Sequence, residues 1–290
     1  MYLTRGHGGA TSEGAAECWP CGRAVRCEAT AEDTVSSDWS TDEAARRWDL
    51  HAEALTAGYT AEGDVHRAVL LNPTLLELLG PVQGKRILDA GCGEGYLSRM
   101  LASAGARVVG VDYSGKMIEI ARSRTPGDLA IEYVHGNCEN LEFIASGGFD
   151  IVVSNMVLQD LADYRAAIAE LHRVLAPGGA LIFAILHPCF STPGSGWVTD
   201  ENERKLHWQV DGYFGEGVIE LEWPRGAEQG LLYFRRTLTS YFEAVRNVGF
   251  VIDRLVEPKP SEEMLVKYPE FGDDLRMCHF LVLRAIKQAR

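Results

Sequence analysis

Residues 87–98 read Ile-Leu-Asp-Ala-Gly-Cys-Gly-Glu-Gly-Tyr-Leu-Ser, an apolar strand that must turn through closely spaced glycines into a helix, with Asp89 just before the turn. Gly91, Gly93 and Gly95 permit backbone angles closed to other residues and put no Cβ between main chain and ligand. A second apolar run, 107–111, ends on Asp112. At the carboxyl end of a parallel strand, such an acid can accept two hydrogen bonds from a ribose diol. A glycine turn beside an acid-terminated strand is how α/β proteins build a nucleotide pocket.

Glycine spacing discriminates between nucleotides. A dinucleotide fingerprint runs G-x-G-x-x-G and seats a pyrophosphate on the helix N-terminus, whereas here the pattern is D-x-G-x-G-x-G, with the third glycine one place early. Asp89 would repel a phosphate and attract the amino group of a cofactor with an amino-acid tail. An NAD-dependent oxidoreductase is therefore the weaker reading, and a plain strand-to-helix turn with a capping acid the blandest one.

These residues resemble motif I of the class I S-adenosylmethionine-dependent methyltransferases. The likeness extends to 108–117, similar to the acidic-loop motif, to 149–160 after the fourth strand, and to 172–181 entering the fifth. It implies an α/β, Rossmann-like, doubly wound sheet of seven strands in the order 3-2-1-4-5-7-6 with the last strand antiparallel. It also implies S-adenosyl-L-methionine as cofactor. By the same resemblance Asp89, Gly91, Cys92 and Gly93 hold the methionine part, Asp112 the ribose, and Tyr113 and Met117 the adenine faces. Asn137, Cys138 and Glu139 fall in the adenine loop, where many relatives have an acid and an alanine, and Ser154 follows the fourth strand.

Strands at 131–135, 149–154 and 180–186 alternate with helices near 96–104, 115–124 and 162–175, which demands a parallel sheet with right-handed crossovers. Pro177-Gly178-Gly179 should be the turn that stops the last crossover helix. A helix at 237–248 then precedes strands at 250–256 and 279–284. Residues 1–37 show no sustained periodicity and read as a flexible extension to a methyltransferase domain over 38–290. A helical cap occupies 38–80: a stripe of Trp48, His51, Leu55 and Tyr59 on a helix over 39–59, then a helix opened by Asn72-Pro73 and closed by Gly80. Residues 187–236 are too many for an ordinary connection; rich in Trp, Tyr and Phe, they should form one or two hairpins and wall the substrate.

Acidic residues outnumber basic ones 41 to 28, a net charge of −13, which lacks the basic surface that phosphate backbones require. The chain also lacks the N/D-P-P-Y/F box: 154–157 read Ser-Asn-Met-Val. Pro188-Cys189 falls after strand five, away from the position of a cytosine-C5 nucleophile. All three observations argue against nucleic acid and for a small-molecule acceptor. No apolar run approaches the ~20 residues of a membrane span, so a cytoplasmic protein is expected. Of seven cysteines, Cys18, Cys21 and Cys27 cluster near His7; zinc or redox chemistry is conceivable for such a group, but an incidental tail feature is the expectation, and no metal is assigned.

Methyl transfer from a sulfonium is a direct displacement that needs positioning more than covalent catalysis. A protic acceptor would still need a base. His187, just after strand five, is the best-placed candidate, followed by His207 in the insertion and Tyr59 in the cap, with His51 and His66 behind them. Asp160 reads as a helix cap. The acceptor expected is a small aromatic or heterocyclic metabolite, of the kind met in specialised metabolism, methylated on O, N or C. A quinone-pathway substrate and a catalytically silent cofactor-binding protein are the alternatives.

Overall fold

The computed structural model describes residues 39–289 apart from 222 and 225. The expected extension over 1–37 and the group of Cys18, Cys21, Cys27 and His7 lie outside the described residues. Two helices, α1 (Thr41–Thr56) and α2 (Asn72–Leu79), precede the sheet. There follow β1 (Arg86–Ala90), α3 (Tyr96–Ser103), β2 (Arg107–Asp112), α4 (Gly115–Arg124), β3 (Ile131–His135), β4 (Phe149–Asn155), α5 (Tyr164–Val174) and β5 (Leu175–Leu186). The 187–236 insertion forms two hairpins, β6 (Gly196–Thr199) with β7 (Lys205–Gln209), and β8 (Gly217–Leu221) with β9 (Leu231–Arg235). The chain closes with α6 (Leu238–Asn247), β10 (Phe250–Val256), α7 (Glu262–Lys267) and β11 (Phe280–Lys287).

The main sheet has seven strands in the order β10-β11-β5-β4-β1-β2-β3, and β11 runs antiparallel to both its neighbours. Counting β10 and β11 as the sixth and seventh strands, this is the expected methyltransferase order. Strand alternation sorts the core into two layers. Leu88, Val152, Leu181, Phe183 and Leu283 pack under α5 and α6, while Ile87, Val153, Ile182, Ala184 and Val282 pack under α2 and α3. Register matters most for the site: Ala90 pairs with Val111, so the glycine turn and Asp112 leave the sheet side by side.

Local chemistry explains the helix starts. Ser40, Ser114, Asp163, Thr237 and Ser261 each cap a helix by accepting a backbone N–H. The cap of α5 is thus Asp163, which leaves Asp160 for another task. Asn72 is no cap either: it is helical and continues a π-helical turn, Arg67–Leu71. Its amide instead donates to Glu62 O at 2.8 Å and accepts from Tyr96 Oη at 3.1 Å. The first helix ends at Thr56, so Tyr59 sits in the turn beyond it. β5 starts at Leu175 because Leu175 already pairs with Phe149; Pro177-Gly178-Gly179 lies in a bulge before Ala180 pairs with Ile151.

Candidate active site

A cavity opens at the carboxyl ends of β1, β2 and β4, lined from the turn by Asp89, Gly91, Cys92, Gly93 and Glu94, and from the next strand by Asp112, Tyr113, Ser114 and Met117. Gly91 has φ +82°, and a Cβ there would lie 2.2 Å from Val157, which packs against the turn. At Gly93, φ is +53° and a Cβ would meet nothing within 4 Å, so bare backbone faces open space. The turn is pinned by Asp112, whose Oδ2 accepts the Gly93 N–H at 2.7 Å and whose Oδ1 accepts the Ser114 N–H at 2.9 Å. Burial raises the Asp112 carboxyl above its usual range despite those bonds.

Asp89 is 1 % exposed. Burial pushes its carboxyl up to about 7, against the hydrogen bond that Ser98 Oγ donates at 2.6 Å, and the Asp112 charge adds to the rise. Met156, after β4, has φ +65°, a strained angle for a non-glycine residue, at the point where Asn155, Met156 and Val157 line the cavity. Asn155 donates through Nδ2 to Tyr96 Oη at 2.7 Å, while its buried Oδ1 has no protein partner.

The roof is α1, which contributes Thr41, Ala44, Ala45 and Trp48. It is tied to the cofactor-side loops: Asp49 Oδ1 accepts from Ser114 Oγ at 2.5 Å and from the Lys116 N–H at 3.0 Å, and Tyr113 Oη donates to Asp42 at 2.7 Å. On its other side α1 rests on the β8–β9 hairpin. Arg47, buried in α1, reaches Gly230 O at 2.9 Å and Glu220 at 2.7 Å, and Ala44 packs on Leu232 and Phe234. Among the described residues none of the 187–236 insertion lines this cavity. The insertion packs instead against α1, which does line it.

The expected site residues divide accordingly. Asp89, Gly91, Cys92, Gly93, Asp112, Tyr113, Met117 and Cys138 share the cavity with Tyr59. Asn137, Glu139 and Ser154 do not line it. Asn137 is spent on its own loop, accepting from the Glu139 N–H, while Glu139 takes the Thr41 hydroxyl and the Asp163 N–H. His187 and His207 are also off the cavity. His187 is 4 % exposed; its Nδ1 accepts from the Cys189 N–H at 3.2 Å and its Nε2 meets Glu257 at 3.0 Å, so both ring nitrogens are occupied. His207 lies on the small β6–β7 ribbon, paired with Val198 and exposed. His51 bonds Gln229 O, and His66 packs on Phe271. His187→Ala should therefore lower stability by about 1–3 kcal/mol through lost packing and bonds, with S-adenosylhomocysteine affinity within about twofold of wild type. Chemical denaturation and calorimetry read the two effects.

Trp48, Arg67, Tyr96, Asn155 and Asp160 are also part of the lining. Sequence reasoning had given them no such place, since helix amphipathicity marks Trp48 only as buried and Asp160 imitates a cap. Asp160 ends a 3₁₀ turn, Leu158–Asp160, and its half-buried carboxyl faces the cavity beside the Trp48 indole. Burial drives it well above the carboxylate range, against the pull of Arg67.

The residues present suit S-adenosylmethionine. The open backbone at Gly93 gives room for a ligand, Asp112 keeps lone pairs for hydroxyls, and Asp89 with the unpartnered Asn155 Oδ1 suits an ammonium. Comparison with known proteins agrees. Residues 88–183 match the model of a methyltransferase domain family. The crystal structure of an S-adenosylmethionine-dependent methyltransferase from Mesorhizobium loti superposes with a TM-score of 0.69 at 30 % identity, covering 78 % of this chain and all of that one. A malonyl-[acyl-carrier protein] O-methyltransferase from Serratia marcescens is 37 % identical over 125 residues, 43 % of this chain and 48 % of that protein. A demethylmenaquinone methyltransferase from Clavibacter sepedonicus is 40 % identical over 115 residues, 40 % of this chain and 45 % of that protein. The matched stretch thus spans just under half the length of these two relatives. Strand order, glycine turn and likeness along the full length of a solved relative converge: the chain belongs to the class I S-adenosylmethionine-dependent methyltransferases.

Proposed function

We propose that the methyl acceptor is a small aromatic or heterocyclic molecule, held in the same cavity as the cofactor against Trp48, Tyr59 and Tyr96. The observation that carries this reading is the meeting of those three side chains with the glycine turn in one enclosure. Tyr59 and Tyr96 stand edge to face with centroids 6.5 Å apart, an apolar angle suited to a flat ring. The bound cofactor supplies an electrophilic methyl group. The chain's part is to orient the acceptor, to exclude water beneath α1, and to receive a proton where the acceptor carries one. For the last task Asp160 replaces His187 as the candidate, because its carboxyl faces the cavity and the imidazole does not.

Incubation with methyl-labelled cofactor and a deproteinised metabolite extract tests the proposal. Label is expected in a small ring-containing product. Label confined to macromolecules, or no label at all, would overturn it. A quinone-pathway acceptor is a second reading, supported by the likeness to the demethylmenaquinone methyltransferase and to a ubiquinone biosynthesis O-methyltransferase from Aromatoleum aromaticum, 33 % identical over 124 residues. Methyl transfer to a demethylated quinone in the same assay would favour it.

A further inference from the structure

Arg236, the first residue after β9, grips the loop that carries Asp160. Its Nη1 donates to Leu158 O at 2.8 Å, and its Nη2 donates to Ala162 O at 3.1 Å and to Leu161 O. The fork thus ties carbonyls on both sides of Asp160. Its guanidinium stands over the Tyr164 ring at 4.0 Å and the Phe234 ring at 5.5 Å, which limits its swing. N–H groups farther along the loop are spent elsewhere, that of Ala162 on Thr41 Oγ1 at 2.8 Å and that of Asp163 on Glu139 at 2.7 Å. The 3₁₀ turn itself is closed by one backbone bond, Asp160 N–H to Val157 O at 2.7 Å, and so short a turn does not hold its shape alone. Asp160 in turn accepts a hydrogen bond from the Trp48 indole. The charged and titratable groups around its carboxyl are Arg67, Asp112, Arg236, Tyr233 and Tyr241.

We infer that Arg236 is a positioning residue for methyl transfer: through the carbonyls on either side of Asp160 it holds that carboxyl on the Trp48 indole, facing the acceptor. The inference rests on the reading of Asp160 as the group that receives the acceptor's proton. It gives the 187–236 insertion a part in the chemistry without a place in the cavity. Proton transfer needs heavy atoms about 2.6–3.2 Å apart, and a shift of about 1 Å can cost up to about a hundredfold in rate. Arg236 acts by charge as well, since its pull opposes the rise that burial imposes on the Asp160 carboxyl. Lysine in its place would keep the charge but has no planar fork to span separate carbonyls.

The Trp48 indole N–H reports on this arrangement without any acceptor. Heteronuclear NMR on the full chain, with isotope-labelled tryptophan, follows the indole signals against pH, that of Trp48 being assigned by Trp48→Phe. In wild type the Trp48 signal should titrate, and Asp160→Asn should abolish the titration. Arg236→Gln should move the titration to higher pH, because a cation near the carboxyl is gone. Arg236→Lys should leave the midpoint near that of wild type but shrink the displacement of the signal, because the carboxyl is no longer held on the indole. S-adenosylhomocysteine affinity within about twofold of wild type verifies that the variants are folded. Methyl transfer to the labelled product of the metabolite extract should fall by about ten- to a hundredfold in both Arg236 variants. A Trp48 titration that both variants leave at wild-type midpoint and size would overturn the inference, whatever their stability. So would a wild-type Trp48 signal that Asp160→Asn does not alter, a result that needs no Arg236 variant. Unchanged methyl transfer in Asp160→Asn, with the titrations as expected, would instead overturn the reading of Asp160 as proton acceptor.

Discussion

Replacing Asp112 with alanine is expected to weaken S-adenosylhomocysteine binding by about a hundredfold, equivalent to ~3 kcal/mol. Two losses add in this variant. The ribose hydroxyls lose a charged acceptor, and the N–H groups of Gly93 and Ser114 lose the carboxylate that holds them at 2.7 and 2.9 Å. The second loss loosens the turn on which the ligand lies. Asp112→Asn separates them: one amide oxygen remains, so about a tenfold loss is expected. Affinity in Asp112→Ala within about threefold of wild type would remove Asp112 from the cofactor site.

Affinity for S-adenosylhomocysteine should rise with pH through about 7, where the buried Asp89 carboxyl ionises. Well below that value the ligand's ammonium must displace a proton, so each unit of falling pH costs up to about tenfold in affinity; above it the curve flattens. Asp89→Asn should bind weakly and with a flatter profile. The stability of the ligand-free protein runs the other way. A carboxyl whose folded pKa is raised from 3.8 to about 7 destabilises the fold once ionised, and that penalty is relieved as pH falls from above 7 toward 4. At pH 8 Asp89→Asn should thus be more stable than wild type by chemical denaturation, an advantage that shrinks on acidification. Parallel affinity profiles for the two proteins would remove Asp89 from contact with the ammonium.

The cofactor half was legible because its demands are local. Gly91, Gly93, Asp89 and Asp112 sit within two strand-turn units, and β1–β2 register alone brings them together. The rest of the lining draws on residues far apart in sequence: Trp48 from α1, Arg67 from a π-helical turn, Asn155 at the end of β4 and Asp160 beyond it. No periodicity joins those positions, because their meeting depends on how α1 is carried. His187 misled for a physical reason. The carboxyl end of β5 does lie on the edge where the cavity opens, yet Glu257 and the Cys189 amide occupy the imidazole there. The aromatic insertion likewise packs on α1 rather than lining the cavity, since aromatic residues serve a buttress as well as a binding wall.

Cys92 and Cys138 both border the cavity, and burial pushes both thiols above the ordinary cysteine range. Thiolate is scarce at neutral pH, so alkylation of the empty protein should be slow, and a ligand across the glycine turn should slow it further. The chain therefore carries its own occupancy gauge. Peptide-resolved mass spectrometry along an extended iodoacetamide time course would rank ligands by the protection they give, before any product has been identified.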